Sequence, residues 1–470
     1  MDRFDTIIIG SGQAGPALAA GLVERGQTVA LIEGAQLGGT CVNTGCTPTK
    51  TLRKSARVAH LARRAAEFGV NVGPVEVDFA KAMSRMRERS TAARTGLKDW
   101  LSSIKGLDLI EGWASFDGRD SDGTIRVAVS GRTLRARHVY LNTGTRPFLP
   151  PVEGSDQIKP LTNEELLALT ERPGHLIVVG GSYIGLELGQ IFRRLGSEVT
   201  IIHTADRLAD REDEDVSGII ADVMRSEGIK LQLSTTVVSV AKTVGGVRAT
   251  LKNGQAIDGT HILFATGRVP NTQRLNLASV GLEADARGYI QTDPGLKTPA
   301  DNIWALGDIN RRGAFTHTSY HDHEIVLAAY DGREDLHQWK DADQRVSTYA
   351  MFTDPPLGRV GLSKREAQAL VAEGRRILIS DVPMSRVSRA KEEDETAGLI
   401  RLLVDADRET IVGATTFGFA GDEVIAALTN FMATGASYKI MQQALPVHPT
   451  VAEFLPTILG GLKPLEATHD

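Results

Sequence analysis

The chain holds only two cysteines in 470 residues, and they stand five apart, Cys41 and Cys46 in GGTCVNTGCTPTK, residues 38–50. Two thiols this close can pass between a disulfide and a dithiol, taking up or releasing two electrons. Packing alone is a poorer account, because Gly39, Thr40, Asn43, Thr44 and Gly45 make a polar, glycine-rich setting rather than a core. A zinc site would need further thiolates or a neighbouring histidine cluster to complete four ligands, and there is no third cysteine. The residues after the pair favour an activated thiol. Thr47 and Pro48 read as a helix start, and TKTLRKSARVAHLARRAAE continues as a helix former. The positive end of that helix would stabilise a thiolate at Cys46, and Lys50, four residues on, shares its face.

A cysteine pair that exchanges with a substrate needs a group to move its protons. In LPVHPTVAEF, residues 445–454, a helix starting near Pro449 would bring Glu453 within reach of His448. A carboxylate holding an imidazole is an oriented general acid/base. The same residues also suit a helix cap; a cysteine pair with no base of its own favours the dyad.

Among the elements that must carry these groups, DTIIIGSGQAGPALAAGLVERGQTVALIE, residues 5–33, reads strand, glycine-rich turn, helix, strand. Gly10, Gly12 and Gly15 fit G-x-G-x-x-G, and Glu33 ends the second strand, where a carboxylate would accept from a ribose hydroxyl. The unit recurs in LIVVGGSYIGLELGQIFRRLGSEVTIIH from residue 176, with Gly180 and Gly185 in place and Ser182 at the second position. Two such units imply two dinucleotides, one held and one visiting. The acidic position of the second unit is His203. With no carboxylate there, His203 and Arg207 could pair with a 2′-phosphate, which favours NADPH and leaves NADH open.

Two further passages, HVYLNTGTRPFLP (138–150) and HILFATGRVPN (261–271), run from a strand into a Thr-Gly/Pro turn and suit crossings between domains. TPADNIWALGDIN, 298–310, ends a strand at Gly307 and Asp308, a carboxylate placed to bind a polyhydroxyl chain or simply to make a turn. From Val346 strands and amphipathic helices continue without a glycine fingerprint, which suggests another domain. A net charge of −5 argues against a general nucleic-acid binder. No apolar run reaches membrane-spanning length, and MDRFDTIIIG enters a strand directly rather than forming a secretory signal. A reducing, cytoplasmic setting is expected, in which a cysteine pair is catalytic rather than structural.

Taken together these residues resemble the pyridine nucleotide-disulfide oxidoreductases with a C-x4-C centre, the group of dihydrolipoamide dehydrogenase, glutathione reductase and mercuric reductase. The resemblance implies an α/β fold with two Rossmann-like dinucleotide-binding domains, for FAD and NAD(P), and a C-terminal α+β dimerisation domain. The implied division is 1–150 and 271–345 for FAD, 151–270 for NAD(P) and 346–470 for the dimer interface. It further implies that Gly10, Gly12, Gly15, Glu33, Gly39, Thr40, Lys50, Gly144 and Asp308 hold FAD. Gly180, Ser182, Tyr183, Gly185, Glu187, His203, Arg207 and Gly267 would hold NAD(P)H, with Tyr183 covering the nicotinamide pocket. Lys50 would pair with Glu187 beside the flavin, and His448 with Glu453 would serve the partner subunit's cysteines in a homodimer.

Within the family the chain resembles the mercuric-reductase-like branch, in AFTHTSYHDHEIV (314–326) and LPTILGGLKPL (455–465). It lacks the C-terminal cysteine pair of mercuric reductases and has Ala20 where glutathione reductases place an arginine for glutathione. A small-molecule disulfide is therefore the expected substrate class. Hg(II) or Cu(II) reduction, a dihydrolipoamide dehydrogenase-like activity and a non-catalytic flavin-binding module are the alternatives. His317 and His321, four apart on a helix with His323 nearby, could ligate a metal, but no third ligand is assignable and they are expected to pack near the flavin. Arg53, Arg57 and Arg64 could meet an anionic substrate or, as expected, form a solvated basic face.

Overall fold

The structure is a computed structural model that describes residues 2–332 and 341–467. Residues 333–340, inside the expected return segment 271–345, lie outside the described residues. Arg3–Ile9 is central in the first sheet, parallel to Val29–Glu33 on one side and Arg132–Leu141 on the other, with Leu107–Glu111 beyond Val29–Glu33. These strands are apolar on both faces because both are covered, Ile8, Val29 and Leu31 by the helix Ala14–Glu24 and Ile7, Ile9 and Ile32 by the strands Ala114–Arg119 and Ile125–Val129, so they read as continuous runs rather than alternations. The chain returns to this sheet with Ile303–Ala305, parallel to the end of Arg132–Leu141, whose first half carries an antiparallel extension of two strands.

A second parallel sheet runs Lys230–Gln232, Glu198–Ile202, His175–Val179, His261–Phe264. Its glycine turn is built like that of the first. Gly10 has φ +104° and Gly180 φ +121°, and a Cβ on either would lie 2.3 Å from a carbonyl of the neighbouring strand end, that of Asn142 or Ala265. The two Thr-Gly/Pro passages meet each other, Thr145–Pro147 pairing antiparallel with Arg268–Pro270. Residues from 348 onward form an antiparallel six-stranded sheet, Thr348–Met351, Leu357–Gly361, Thr410–Phe417, Leu399–Asp405, Ile377–Pro383, Lys463–Pro464.

The cysteine helix, Cys46–Arg63, lies where these layers converge, and its arginines do not form a solvated face. Arg53 donates to the Thr353 carbonyl at 2.9 Å, Arg57 pairs with Asp354 and with Glu395 at 3.0 Å, and Arg64 pairs with Glu67 at 2.9 Å. Helical spacing could not show that another layer supplies carboxylates to this face. Asp354 also pairs with Arg194 of the second glycine unit's helix, Tyr183–Arg194, and Arg194 reaches Glu227 at 2.7 Å. Burial would raise the Asp354 carboxyl, but Arg194 and Arg57 outweigh it and hold it down at about 2. Nearby, fully buried Arg401 joins Asp213 at 2.8 Å and Asp381 at 2.6 Å, tying the antiparallel sheet to the second unit again.

Removing the carboxylate in Asp354→Ala takes a shared buried partner from three guanidinium groups, those of Arg53, Arg57 and Arg194, and is expected to cost about 3–5 kcal/mol, read as a lowered Tm and an earlier urea midpoint. Because its folded pKa is depressed, Asp354's contribution is complete above its unfolded value near 4 and is lost only as pH falls towards about 2. The wild-type–variant gap in Tm should therefore be the same at pH 7 and pH 5.

Candidate active site

Cys41 sits on a five-residue helix, Gly39–Asn43, entered through two glycines with positive φ, Gly38 at 91° and Gly39 at 60°. A side chain at Gly39 is disfavoured for a second reason: its Cβ would come 3.2 Å from the Cα of Gly12 in the first fingerprint, a tight approach to backbone. The second helix begins at Cys46 itself, not at Thr47 or Pro48, so the sulfur belongs to the first turn. Both cysteines are free and half-buried. The Cys41–Cys46 hydrogen bond shifts the two thiols oppositely. Cys46 is lowered to about 6 by that bond, against the opposing effect of burial, with further help from Thr316 and Lys50. Cys41 is raised by the same bond and by burial. The charge of the reduced pair therefore rests on Cys46.

Lys50 and Glu187 meet at 2.8 Å. Glu187 is buried, and its other oxygen accepts the Phe352 backbone N–H at 2.8 Å, while the Lys50 ammonium lies 4.5 Å from the centre of the Phe352 ring. Tyr183 starts the helix that carries Glu187, and its ring lies 6.1 Å from that of Phe315.

These groups open on one cavity of about 1320 Å³, large enough for a dinucleotide rather than a drug-sized ligand. Gly10, Gly12, Glu33, Gly39, Thr40, Gly144 and Asp308 line it together with Cys41, Cys46, Lys50, Tyr183 and Glu187. Gly15 does not; it closes the turn beneath, where a Cβ would meet the Gly10 carbonyl at 2.2 Å. Glu33 already accepts from the Ser11 N–H at 2.9 Å, the Ser11 hydroxyl at 2.6 Å and the Ala35 N–H at 2.8 Å. Both Ser11 bonds fall on Oε2, so Oε1, which accepts only from Ala35, keeps a lone pair for a ribose hydroxyl. Asp308, its carboxyl raised by burial, accepts from Thr145 at 2.9 Å. A glycine cradle at one end and thiols with an ammonium at the other fit FAD, whose pyrophosphate needs close backbone and whose ring needs redox partners.

Gly180, Ser182, Gly185, His203, Arg207 and Gly267 lie outside this cavity. His203 is not bare of carboxylate, as residue counting suggests: its Nδ1 accepts the Gly181 N–H at 3.1 Å and its Nε2 stands 3.6 Å from Asp210. Arg207 lies 3.6 Å from Asp206. The carboxylates come from the loop after the strand, which a motif count at the strand end does not reach.

His448 Nδ1 lies 2.9 Å from Glu453 Oε2, but no helix starts at Pro449. The chain bends instead, the Thr450 hydroxyl donating to the Val447 carbonyl at 2.8 Å and accepting the Glu453 N–H at 3.1 Å; helical turns come next at Ala452–Phe454 and Leu455–Gly460. The dyad lies outside its own chain's cavity, with His448 76% exposed. Of the other histidines, His317 lines the cavity and bonds the Thr348 carbonyl at 2.7 Å, and His323 bonds the Tyr320 carbonyl. Among the described residues no three ligand side chains converge as a metal site.

Three contacts at the site go beyond the sequence motifs. Thr316 Oγ1 lies 3.1 Å from Cys46 Sγ, Asn163 donates to the Thr44 carbonyl at 2.7 Å, and Asn142 Oδ1 accepts the Gly15 N–H at 3.1 Å. Only Asn142 carries a signal, as the polar residue directly after an apolar strand.

The family model described as pyridine nucleotide-disulphide oxidoreductase matches residues 4–322, and the model of that family's dimerisation domain matches 347–458. The chain is 32% identical to the probable pyridine nucleotide-disulfide oxidoreductase RclA of Escherichia coli (strain K12), over 98% of this chain and 100% of that one. It is 32% identical to a mercuric reductase of Bacillus cereus, over 96% and 70% of the two chains. The solved structure of the HOCl-induced flavoprotein disulfide reductase RclA from Escherichia coli superposes with a TM-score of 0.87 at 30% identity, covering 97% of this chain and 99% of that one. A Cu(II) complex of the same enzyme superposes with a TM-score of 0.86 at 31% identity, over 98% and 99%. With both family models matched and two glycine cradles in place, the chain belongs to the pyridine nucleotide-disulphide oxidoreductases, flavoenzymes that use FAD and NAD(P)H.

Proposed function

We propose that the protein is a homodimeric, cytoplasmic NAD(P)H:disulfide oxidoreductase that works through a Cys41–Cys46 disulfide, with FAD held by 1–150 and 271–345, NAD(P)H by 151–270 and the dimer by 346–470. The observation that carries this is Cys46: a thiol lowered to about 6 in the first turn of a helix, beside Cys41 and in one cavity with the first glycine cradle. Bound FAD supplies two-electron chemistry between a nicotinamide and that disulfide. Tyr183 covers the nicotinamide side, and Lys50, held by Glu187, adds positive charge near the sulfur. Two electrons break the S–S bond, leaving a thiolate on Cys46 and, after proton uptake, a thiol on Cys41. His448 of the partner subunit, oriented by that subunit's own carboxylate, takes the Cys41 proton. Cys41 then attacks the substrate disulfide, forming a mixed disulfide and releasing one thiolate, which the imidazolium protonates. The Cys46 thiolate attacks the Cys41 sulfur, restores the starting disulfide and expels the second product as a thiolate, which takes its proton from solvent. We propose NADPH as donor because residue 203 is not acidic; Asp210 is the group that would favour NADH.

A second reading ends the same electron path on a soft metal ion held by the two thiolates. The Cu(II) complex of the Escherichia coli relative favours it. NADPH and NADH oxidation measured against panels of disulfides and of Cu(II) and Hg(II) salts, without free thiol, separates the two readings.

Anaerobic reduction should give a long-wavelength thiolate-to-flavin absorbance that Cys46→Ser abolishes and Cys41→Ser keeps while losing disulfide turnover; a persistent band in Cys46→Ser reverses the roles. In the reduced wild type that band should fade as pH falls through about 6, the pH at which Cys46 gains its proton. His448→Ala should lower disulfide turnover by about 10²–10⁴-fold. Hybrid dimers of Cys41→Ser with His448→Ala subunits should regain about half of wild-type turnover, one complete site of two; inactive hybrids would place the dyad on its own subunit's cysteines.

A further inference from the structure

We propose that Thr316 is a further catalytic residue, whose hydroxyl holds the Cys46 thiolate by direct hydrogen bonding; this rests on the role of Cys46 as the flavin-facing thiolate. Its Oγ1 lies 3.1 Å from Cys46 Sγ, inside the distance normal for a hydroxyl donating to sulfur. Thr316 lines the same cavity as both thiols, and it is the first residue of a 15-residue helix, Thr316–Tyr330. Cys46 opens an 18-residue helix. Two helix N-termini thus face one sulfur, and the hydroxyl adds the short-range contact that two diffuse dipoles cannot.

The hydroxyl is fixed by its neighbours. Phe315 stacks on His317 at 5.6 Å and on Tyr349 at 5.3 Å between ring centres, nearly parallel in both cases. His317 is anchored in turn to the Thr348 carbonyl at 2.7 Å. With both flanking side chains held, the backbone at 316 has little freedom to withdraw Oγ1 from the sulfur. Thr316 favours the ionised form of both sulfurs, and its hydroxyl contact is with Cys46. The Cys46 thiolate accepts the hydroxyl hydrogen without proton transfer. When Cys46 is bound to Cys41 the sulfur is a far weaker acceptor, so the contact selectively favours the reduced state.

The test uses the FAD-bound full chain in a Cys41→Ser background, where Cys46 cannot form the intrasubunit disulfide. The pH midpoint of Cys46 is read from its rate of alkylation by iodoacetamide and from the thiolate-to-flavin absorbance. Thr316→Val, which keeps shape and loses the hydroxyl, should raise that midpoint by about one to two pH units. Thr316→Ser should restore it. A midpoint unmoved in Thr316→Val, or raised equally in Thr316→Ser, overturns the assignment. Neither readout needs turnover, so a failure of the disulfide-reductase reading would show separately, as absence of NAD(P)H-driven reduction in the protein with both cysteines.

Discussion

The Lys50–Glu187 ion pair is the interaction on which the geometry of the site depends. Glu187 is 5% exposed, so its charge would be prohibitive without a partner, and it has two: the Lys50 ammonium and the Phe352 N–H, each at 2.8 Å. The three come from three layers: the cysteine helix, the helix of the second glycine unit, and the start of the antiparallel sheet. Lys50 is one turn beyond Cys46, and Glu187 is one turn beyond Tyr183. One satisfied buried charge therefore sets the distance between the thiol and the aromatic ring proposed to cover the nicotinamide. Any shift of one layer against another would strand that charge.

The same economy explains why two chemically identical thiols differ. Cys41 lies on a short helix of five residues, with little dipole to offer, whereas Cys46 begins one of eighteen. Lys50 and Thr316 both act to favour ionised Cys46, and the hydrogen bond between the thiols then forces an unequal division, since a proton held by one is donated to the other. This division suits the roles proposed for them, Cys46 charged beside the flavin and Cys41 deprotonated by a base before it attacks.

The glycine units are legible in the sequence because their requirement is local. A positive φ at Gly10 and Gly180, and backbone approaches that exclude a Cβ, impose a spacing of glycines that a linear reading detects. The cysteine pair is legible for the same reason. Contacts made between distant segments are not: Thr316 on Cys46, and Asp354 on Arg57 and Arg194. Helical spacing shows that Arg53, Arg57 and Arg64 share a face, but not that carboxylates and a carbonyl cover it. At Pro449 the helix-start signal misleads, because Thr450 bonds back to Val447 and forward to Glu453 and so makes a bend that mimics a cap.

That bend bears on the assembly. The segment before it turns apolar side chains outward, Leu445 at 98% and Val447 at 75% exposure, next to an imidazole that is itself exposed while its carboxylate, Glu453, is mostly covered. The dyad proposed as the base lies outside its own chain's cavity, and the large apolar side chains beside it gain nothing from water. Docking against a second copy would bury Leu445 and Val447 and could bring the dyad to the partner's cavity, where the thiols lie. The matched dimerisation domain spans this segment, so one contact would cover the exposed apolar surface and, on the proposed mechanism, also deliver the dyad to the thiols.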